Sequence, residues 1–346
     1  MKALVYQGPE KKEWIEKPIP TIQEPTDVLV RIVKTTICGS DLHILKGDVP
    51  TAPIGLTLGH EGVGIVESVG SAVKNFAVGD KVVIACVTHC GQCDSCQKGL
   101  FSHCKNGGWI LGHTIDGTQA EYVRIPYGDT SLFKVPENVD DDALVMMSCA
   151  MPTAFEVGVT RGEVKPGSRV GIVGAGPVGL ASVITAKLYS PAQIIVIDLD
   201  ENRLELAKKF GATHVVNSSD GKAVEKMIAL TDGRGVDVAI EAVGVPATFE
   251  ICQHIVGIGG NIANIGIHGK PVNFDLDKLW GKNITLRSGI VNTSSTAMLI
   301  DSVKSGRLHP EELITHRFEL NNIMEAYDVF GNATREKALK VLISKN

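Results

Sequence analysis

The chain has 346 residues, of which 44% are hydrophobic and 21% are charged, and its formal net charge is -5. This length is sufficient for two domains with ordinary hydrophobic cores, and the mild acidity gives no reason to expect nucleic acid or a membrane surface as a partner. The sequence has no apolar run of signal-peptide or transmembrane length, which predicts a soluble, cytoplasmic protein.

Residues 1–150 are predicted to be rich in β-strands. Short apolar runs at 28–33, 62–70 and 81–85 are bounded by the Gly, Asp and Pro residues that are typical of turns. We find no alternation of strands with helices in this part, so it is predicted to differ in architecture from the rest of the chain.

Two short motifs in this part contain side chains that can bind metal ions. The first runs from Cys38 to His43 as Cys-Gly-Ser-Asp-Leu-His, and the second runs from Gly59 to Gly64 as Gly-His-Glu-Gly-Val-Gly. Taken alone, neither motif is specific, because an isolated Cys or His is more often a packed residue than a ligand.

A cluster of four cysteines follows at close spacing, formed by Cys90, Cys93, Cys96 and Cys104. A reducing cytosol disfavours disulfides, whereas four thiolates can complete a tetrahedral shell around Zn²⁺. A complete shell leaves no position for substrate, so the predicted role is structural. An iron–sulfur cluster or disulfides are the alternatives, and the neighbouring His89 and His103 are interpreted as bystanders.

From about residue 168 strands and helices alternate. Segments of helical length follow the first two strands at 177–189 and 201–212, and Asp200 and Gly211 favour the start and the end of the second helix. This alternation predicts a parallel, doubly wound sheet. Its predicted strands are 169–174, 193–200, 214–217, 236–244 and 260–266.

The alternation weakens after about residue 290, and the tail ends in a predicted helix and an apolar strand. We expect this tail to return to the first domain. The predicted domains are therefore 1–150 together with 290–346, and 151–289.

A glycine loop lies between the first strand and the first helix of this second domain, formed by Gly174, Ala175, Gly176, Pro177, Val178 and Gly179. Its glycines allow a tight turn, close approach to a pyrophosphate and close packing of helix on strand, and the helix N-terminus favours phosphate. Asp198 ends the next strand and predicts hydrogen bonds to the adenosine ribose, which favours NAD, although Arg203 could instead pair with the phosphate of NADP. The alternative is a glycine-rich turn followed by a helix-capping Asp.

The order of these motifs along the chain resembles the medium-chain, zinc-dependent alcohol dehydrogenase family, and the resemblance covers essentially the whole length. It implies a β-rich, GroES-like catalytic domain with two zinc sites and a Rossmann domain that binds NAD. Cys38, His60 and Cys149 correspond to the ligands of a catalytic zinc, whose open fourth position would lower the pKa of an alcohol so that hydride passes to the nicotinamide.

Further roles follow from the same resemblance. Ser40 and His43 correspond to the proton relay, in which a histidine suits proton exchange near physiological pH. Asp41 corresponds to the carboxylate that orients His60, and Glu61 to a glutamate near the zinc that can ligate it transiently. Surface charge is the alternative for both acids. Lys340 falls where relatives place a basic residue near the cofactor pyrophosphate, with an exposed lysine as the alternative.

The two remaining cysteines are interpreted separately. Cys252 is predicted to be a core residue, and Cys86 falls where relatives place a residue that lines the substrate pocket. A small side chain there would leave room for secondary or bulky alcohols, and Trp109 is predicted to form another wall of the pocket.

The segment after Cys104 is short compared with dimeric relatives, so we expect a homotetramer.

The resemblance predicts an oxidoreductase that interconverts primary or secondary alcohols with aldehydes or ketones. A polyol or amino-alcohol dehydrogenase of the same family is the closest alternative, although polyol relatives tend to carry Glu at the position of Cys149. A zinc-free quinone reductase would not need the metal-binding residues. A non-catalytic binding protein would not need Ser40 and His43.

Overall fold

The computed structural model describes residues 1–136 and 138–345, which form two compact units. Unit 1 comprises the described residues of 1–149 and 292–345, and unit 2 comprises Ala150–Val291. The sequence-based boundaries lie within two residues of these limits.

The strands are β1 (Lys2–Tyr6), β2 (Lys12–Glu16), β3 (Val28–Thr36), β4 (Gly62–Val69), β5 (Lys81–Ile84), β6 (Tyr122–Ile125), β7 (Leu132–Lys134), β8 (Arg169–Val173), β9 (Gln193–Asp198), β10 (His214–Asn217), β11 (Val236–Glu241), β12 (Val256–Asn264), β13 (Thr285–Ser288), β14 (Ile314–Glu319) and β15 (Lys340–Ser344). The α-helices are α1 (Gly39–Lys46), α2 (Asp94–Gln97), α3 (Gly128–Ser131), α4 (Asp141–Val145), α5 (Ala150–Thr153), α6 (Pro177–Ala186), α7 (Glu201–Phe210), α8 (Ala223–Leu230), α9 (Pro246–Ile255), α10 (Leu276–Leu279), α11 (Thr296–Lys304), α12 (Ile323–Gly331) and α13 (Ala333–Glu336). A π-helix at Ala154–Thr160 and short 3₁₀ segments complete the described secondary structure.

Unit 1 is built around a mainly antiparallel sheet in the order β14-β15-β3-β4-β5-β7, with β6 also pairing with β3. The strand β3 is largely buried along its length, which suits its central place between β15 and β4. The tail returns to this sheet, because β15 pairs antiparallel with β3 and Leu342 lies opposite Thr36. The predicted β-rich fold of the first domain is therefore confirmed, and β15 of the tail lies in its sheet.

Unit 2 contains a six-stranded sheet in the order β10-β9-β8-β11-β12-β13, and every pair in it is parallel. The order reverses between β8 and β11, which is the switch point where ligands bind in doubly wound sheets. The glycine loop follows β8 directly. The predicted doubly wound sheet is confirmed.

The helix signals in unit 2 are also confirmed. Asp200 caps α7 by accepting the backbone N–H groups of Asn202 and Arg203, and Gly211 ends the helix with φ 115°. The elements that were not predicted include α1, which contains the predicted relay residues, and the π-helix. Every helix among the described residues is too short or too polar to cross a bilayer.

Asp142 connects three parts of unit 1 that lie close to the candidate site. This α4 side chain accepts hydrogen bonds from Lys34 of β3 and from Arg317 of β14, and it is 10% exposed. Burial alone would raise the pKa of Asp142, but the two cations hold it below its usual value. The ion pairs thus hold α4, which leads to Cys149, against the strand that leads to Cys38.

We expect Asp142→Asn to lower the free energy of unfolding by about 2 kcal/mol at neutral pH, because the hydrogen bonds from two cationic side chains lose their anion. The folded pKa of Asp142 lies below the unfolded value of about 3.9, so this stabilisation is present above that value and is lost as the pH falls through the folded pKa. Urea unfolding at several pH values measures the difference, which should shrink in acid.

The matched control is Asp328→Asn, since the Asp328 side chain is 75% exposed and lies 3.7 Å from Lys12. Its loss should change stability by no more than about 0.5 kcal/mol. Equal losses in the two variants would contradict the structural role of Asp142.

Candidate metal centres and cofactor loop

Four side chains from separate parts of unit 1 meet in one place, and we call them the donor group: Cys38, His60, Glu61 and Cys149. One ligand atom of each lies within 4.8 Å of the others. The register explains the meeting, because the end of β3 and the start of β4 lie side by side, with Thr35 opposite Gly62. His60 and Glu61 are buried, whereas the two cysteines are half-buried.

Asp41 organises both ligand-bearing segments. Its Oδ2 accepts the N–H of Cys38 at 2.8 Å and the amide of Gln119 at 3.1 Å, and its Oδ1 lies 3.6 Å from Nδ1 of His60. The alternative that Asp41 is a surface charge is wrong, since it is completely buried. This contact leaves Nε2 of His60 as the nitrogen for a metal ion.

Gly59 sets the backbone immediately before His60. Its φ is +92°, and a Cβ there would lie 2.6 Å from Cγ and 2.9 Å from the backbone nitrogen of Gln119. A left-handed conformation with so little space requires glycine. The presence of glycine at the first position of the second motif therefore has a steric explanation.

Glu61 is buried together with its counter-charge. Its Oε2 accepts hydrogen bonds from Lys340 and from Thr36, and the side chains of Lys340 and Glu61 are 2% and 1% exposed. Although burial alone would lower it, the carboxylate raises the pKa of Lys340, so the lysine is a cation. The alternatives of an exposed lysine and of a surface glutamate are wrong. Oε1 of Glu61 has no hydrogen-bond partner among the described residues, which leaves an oxygen for a metal ion.

The thiols of the donor group influence each other. A hydrogen bond with Cys149 and the neighbouring His60 hold the pKa of Cys38 well below its usual value, despite burial. The hydrogen bonds with Cys38 and then with Cys86, together with burial, raise the pKa of Cys149. Two sulfur donors, an imidazole and a nearby carboxylate fit a zinc ion. Cys86 is 3% exposed and lies beside Cys149.

The two residues predicted to form a proton relay, Ser40 and His43, both lie on α1, which begins after Cys38. Ser40 is buried at 9% exposure, whereas the His43 side chain is 34% exposed. Nδ1 of His43 lies 2.8 Å from Oδ2 of Asp48. A carboxylate only accepts, so Nδ1 carries the proton and Nε2 of a neutral His43 is left as a proton acceptor.

The cysteine cluster gathers Cys90, Cys93, Cys96 and Cys104, whose sulfurs all lie within 4.8 Å of one another. The Sγ atom of Cys93 is 3.5 Å from that of Cys96 and 4.0 Å from that of Cys104. These separations exceed a disulfide bond of about 2.05 Å and match the roughly 3.8 Å between sulfurs of a tetrahedral zinc site. The backbone N–H groups of Lys105 and Cys96 lower the pKa of Cys93 to about 6, which favours the thiolate that zinc binds.

Three other side chains lie next to candidate ligands in sequence or in space. His89 stacks on Phe101 with ring centroids 4.1 Å apart, and His103 is exposed. Trp109 is half-buried and meets His60 edge to face, with ring centroids 6.3 Å apart at 79°. Of the three, Trp109 is the one with a ring contact to a member of the donor group.

In unit 2 the glycine loop has the geometry of a phosphate cradle. Gly174 has φ +105°, a Cβ on Gly179 would lie 1.9 Å from the Gly174 carbonyl oxygen, and a Cβ on Gly176 would meet nothing within 4 Å. The open side at Gly176 is the approach that a pyrophosphate needs. Pro177 is the first residue of α6 and Val178 the second, and Gly176 supplies no side-chain cap, so first-turn N–H groups are available to an anion.

Asp198 is the last residue of β9 and borders this loop. Its Oδ2 accepts the N–H of Ala175 at 2.6 Å, and its Oδ1 accepts the N–H groups of Leu199 and Asp200. The carboxylate is therefore anchored with lone pairs remaining for a ribose. Arg203 is half-buried in the first turn of α7.

Comparison with known proteins places the chain in a family. Residues 24–137 match the family model of the alcohol dehydrogenase GroES-like domain, and residues 177–305 match that of zinc-binding dehydrogenases. An alcohol dehydrogenase of Cupriavidus necator is 36% identical over 366 aligned positions, which cover 99% of this chain and 98% of that protein. The chain belongs to the medium-chain zinc-dependent alcohol dehydrogenase family.

Two further relatives show the breadth of this family. The structure of zinc-dependent alcohol dehydrogenase 2 from Streptococcus pneumonia, in its apo form, has a TM-score of 0.96 at 54% identity and covers 100% of this chain and 99% of that one. A sorbitol dehydrogenase of Bacillus subtilis is 31% identical, with coverage of 100% and 98%. Members of the zinc-dependent family that resemble this chain therefore include proteins named as alcohol dehydrogenases and one named for a polyol.

Sequence reasoning missed several residues that support the site of this family member. The contacts of Gln119, Asp48 and Thr36 join segments that are far apart or of irregular structure, so neither spacing nor periodicity indicates them. A signal did exist for the burial of Lys340, because the apolar residues 341–343 follow it directly.

We expect Lys340→Met to lower the free energy of unfolding by about 3 kcal/mol, because it leaves the Glu61 carboxylate buried without its cation. Chemical denaturation of the metal-free protein measures this loss. The double variant Glu61→Gln/Lys340→Met should recover part of it.

Lys345→Met is the matched control, since Lys345 pairs with Glu121 at 2.7 Å with side chains 27% and 28% exposed. Its effect should stay below about 1 kcal/mol. A loss for Lys340→Met no larger than that of the control would show that the buried ion pair stabilises the fold no more than the partly exposed pair does.

Proposed function

We propose that this protein is a zinc-dependent, NAD-linked alcohol dehydrogenase that oxidises primary or secondary alcohols to aldehydes or ketones and catalyses the reverse reduction. The observation that carries the proposal is the donor group, in which two thiols, an imidazole and a carboxylate lie within 4.8 Å of one another. In the reaction, the alcohol carbon gives a hydride to NAD⁺ and the hydroxyl gives a proton, which yields the carbonyl compound, NADH and H⁺.

Cys38, His60 and Cys149 would hold the catalytic zinc, and Glu61 stands beside them. Zinc bound there supplies Lewis-acid polarisation of the substrate oxygen. Asp41 keeps the His60 ring oriented, and Lys340 compensates the charge of Glu61 within the buried site.

The hydroxyl proton needs a path away from the reacting carbon, and Ser40 and His43 are the residues that we assign to it. The buried hydroxyl of Ser40 can accept a proton and pass one on in the same step. Nε2 of His43 can then accept the proton, because Nδ1 is engaged by Asp48. The partial exposure of His43 allows exchange with water.

NAD is the proposed cofactor because Asp198 places a carboxylate at the end of β9, where a 2′-phosphate would meet like charge. The open side of Gly176 supports pyrophosphate binding. Lys340 is buried in an ion pair with Glu61. A contact between Lys340 and the pyrophosphate, as the family resemblance implies, would be made in addition to that ion pair.

The substrate pocket is proposed to include Cys86 and Trp109. Cys86 lies beside Cys149 and Trp109 lies beside His60, and the small side chain of Cys86 favours secondary or bulky alcohols. A polyol is the second candidate substrate, supported by the similarity to a sorbitol dehydrogenase.

We also propose that the protein is a homotetramer, because the segment that follows Cys104 is short.

The decisive test follows nicotinamide reduction at 340 nm with primary, secondary and polyhydric alcohols, before and after chelation. We expect turnover of simple alcohols with NAD and its loss on chelation, while NADH binding, measured by nicotinamide fluorescence, persists. Turnover of polyols alone would favour the second candidate, and chelator-insensitive turnover would contradict the zinc mechanism.

Cofactor preference provides a separate test. Asp198→Asn keeps an oxygen for the backbone N–H groups but removes the charge, so we expect the ratio of kcat/KM for NAD to that for NADP to fall by about tenfold or more. Asp232→Asn, at an Asp side chain that is 82% exposed in the same unit, should leave the ratio unchanged. An unchanged ratio in Asp198→Asn would remove the basis for the NAD assignment.

The cysteine cluster is proposed to hold a second, structural zinc. Cys93→Ser should therefore reduce the metal content from two equivalents to one and lower the thermal midpoint, because a ligand of the closed shell is lost. Cys252→Ser, at a buried core cysteine of unit 2, controls for loss of a thiol and should keep both equivalents. Two retained metal ions in Cys93→Ser would refute the assignment.

A further inference from the structure

The turn at residues 108–115 folds back onto the backbone next to His60. The Ile110 carbonyl accepts the N–H groups of Thr114 and Ile115 at 2.9 and 3.0 Å. Gly112 has φ +61°, and a Cβ there would lie 2.4 Å from the carbonyl oxygen of Gly59. The turn therefore rests directly on the segment that carries His60.

His113 lies in this turn, and both of its ring nitrogens have partners. Nδ1 lies 2.8 Å from the carbonyl oxygen of Trp109, and Nε2 lies 2.6 Å from Oγ1 of Thr51. Since a carbonyl only accepts, Nδ1 donates, and in the neutral ring Nε2 accepts from the Thr51 hydroxyl. The imidazole is thus fixed in position and tautomer.

The fixed imidazole stacks on the indole of Trp109, with ring centroids 4.4 Å apart and planes 30° apart. The edge-to-face contact of that indole with His60 places it beside a proposed zinc ligand, and its apolar surface packs against the cluster that contains Leu45 and Leu58. Trp109 is therefore held by the core, and its ring is stacked on a hydrogen-bonded histidine.

We propose that His113 is a specificity-determining positioning residue, which holds the Trp109 indole beside the metal centre and so sets the width of the alcohol pocket. The specificity part rests on the proposed function, whereas the positioning of Trp109 does not. Thr51 takes part through its hydroxyl, which orients the imidazole from the loop that follows α1.

The positioning is tested by Trp109 fluorescence in the full-length protein with Trp14 and Trp280 replaced by Phe. We expect His113→Ala to lower the anisotropy of Trp109 and to lengthen its lifetime, because the stacked imidazole no longer restrains and quenches the indole. Thr51→Val, at an exposed residue, should change the anisotropy and the lifetime in the same directions but by smaller amounts than His113→Ala. Unchanged anisotropy and lifetime in His113→Ala would overturn the proposal.

The specificity is tested in the protein that keeps all three tryptophans, with 2-propanol and 1-phenylethanol as probes. We expect His113→Ala to raise the ratio of kcat/KM for 1-phenylethanol to that for 2-propanol by about tenfold, mainly through KM. His316→Ala is the matched control, since His316 also bonds a threonine hydroxyl, at 3.0 Å from Thr315, and it should change neither the fluorescence nor the ratio.

The two measurements separate the possible failures. Changed fluorescence with an unchanged ratio would overturn the specificity role of His113. A wild-type protein that oxidises no alcohol would refute the proposed function and the specificity role together, and the fluorescence of His113→Ala would still decide whether His113 positions Trp109.

Discussion

The buried ion pair of Lys340 and Glu61 is the interaction on which the arrangement of unit 1 depends. A carboxylate at 1% exposure is strongly destabilising without a cation, and this cation comes from the first residue of β15. The hydroxyl at the end of β3 completes the contact. Three strands therefore meet at the charge that stands beside the candidate metal ligands.

The donor group depends on backbone geometry as much as on its side chains. The antiparallel register of β3 and β4 brings the segments of Cys38 and His60 together, and Asp41 joins them through its two oxygens. Gly59 allows the close approach of the segment that contains Gln119. A metal ion would thus meet ligands that the fold has already placed, which reduces the ordering cost of binding.

Much of this structure could be predicted from sequence, because its signals are local. The alternation of strands and helices indicated the parallel sheet, the caps at Asp200 and Gly211 bounded α7, and the spacing of the cysteine cluster indicated that its four thiols lie together. The helix α1 was missed because eight residues with no strong apolar period give little signal.

The contacts that support the site could not be predicted in this way. His113 acquires its role from Thr51 and from the stack on Trp109, and Lys340 acquires its role from Glu61. Each of these contacts, apart from the stack, joins residues that lie far apart in the chain, so they depend on the folded topology rather than on any pattern of neighbours.

The discontinuity of unit 1 has a consequence for synthesis of the protein on the ribosome. Domains generally fold as units while the chain emerges, with the N-terminal one first. Here all of unit 2 lies between the two segments of unit 1, so unit 2 is complete in the nascent chain before β15 has been translated. Until β15 emerges, Glu61 lacks the lysine that neutralises it, and the sheet beside the candidate metal ligands is unfinished. The N-terminal unit is therefore the last to be completed during synthesis, although it is the first to be translated.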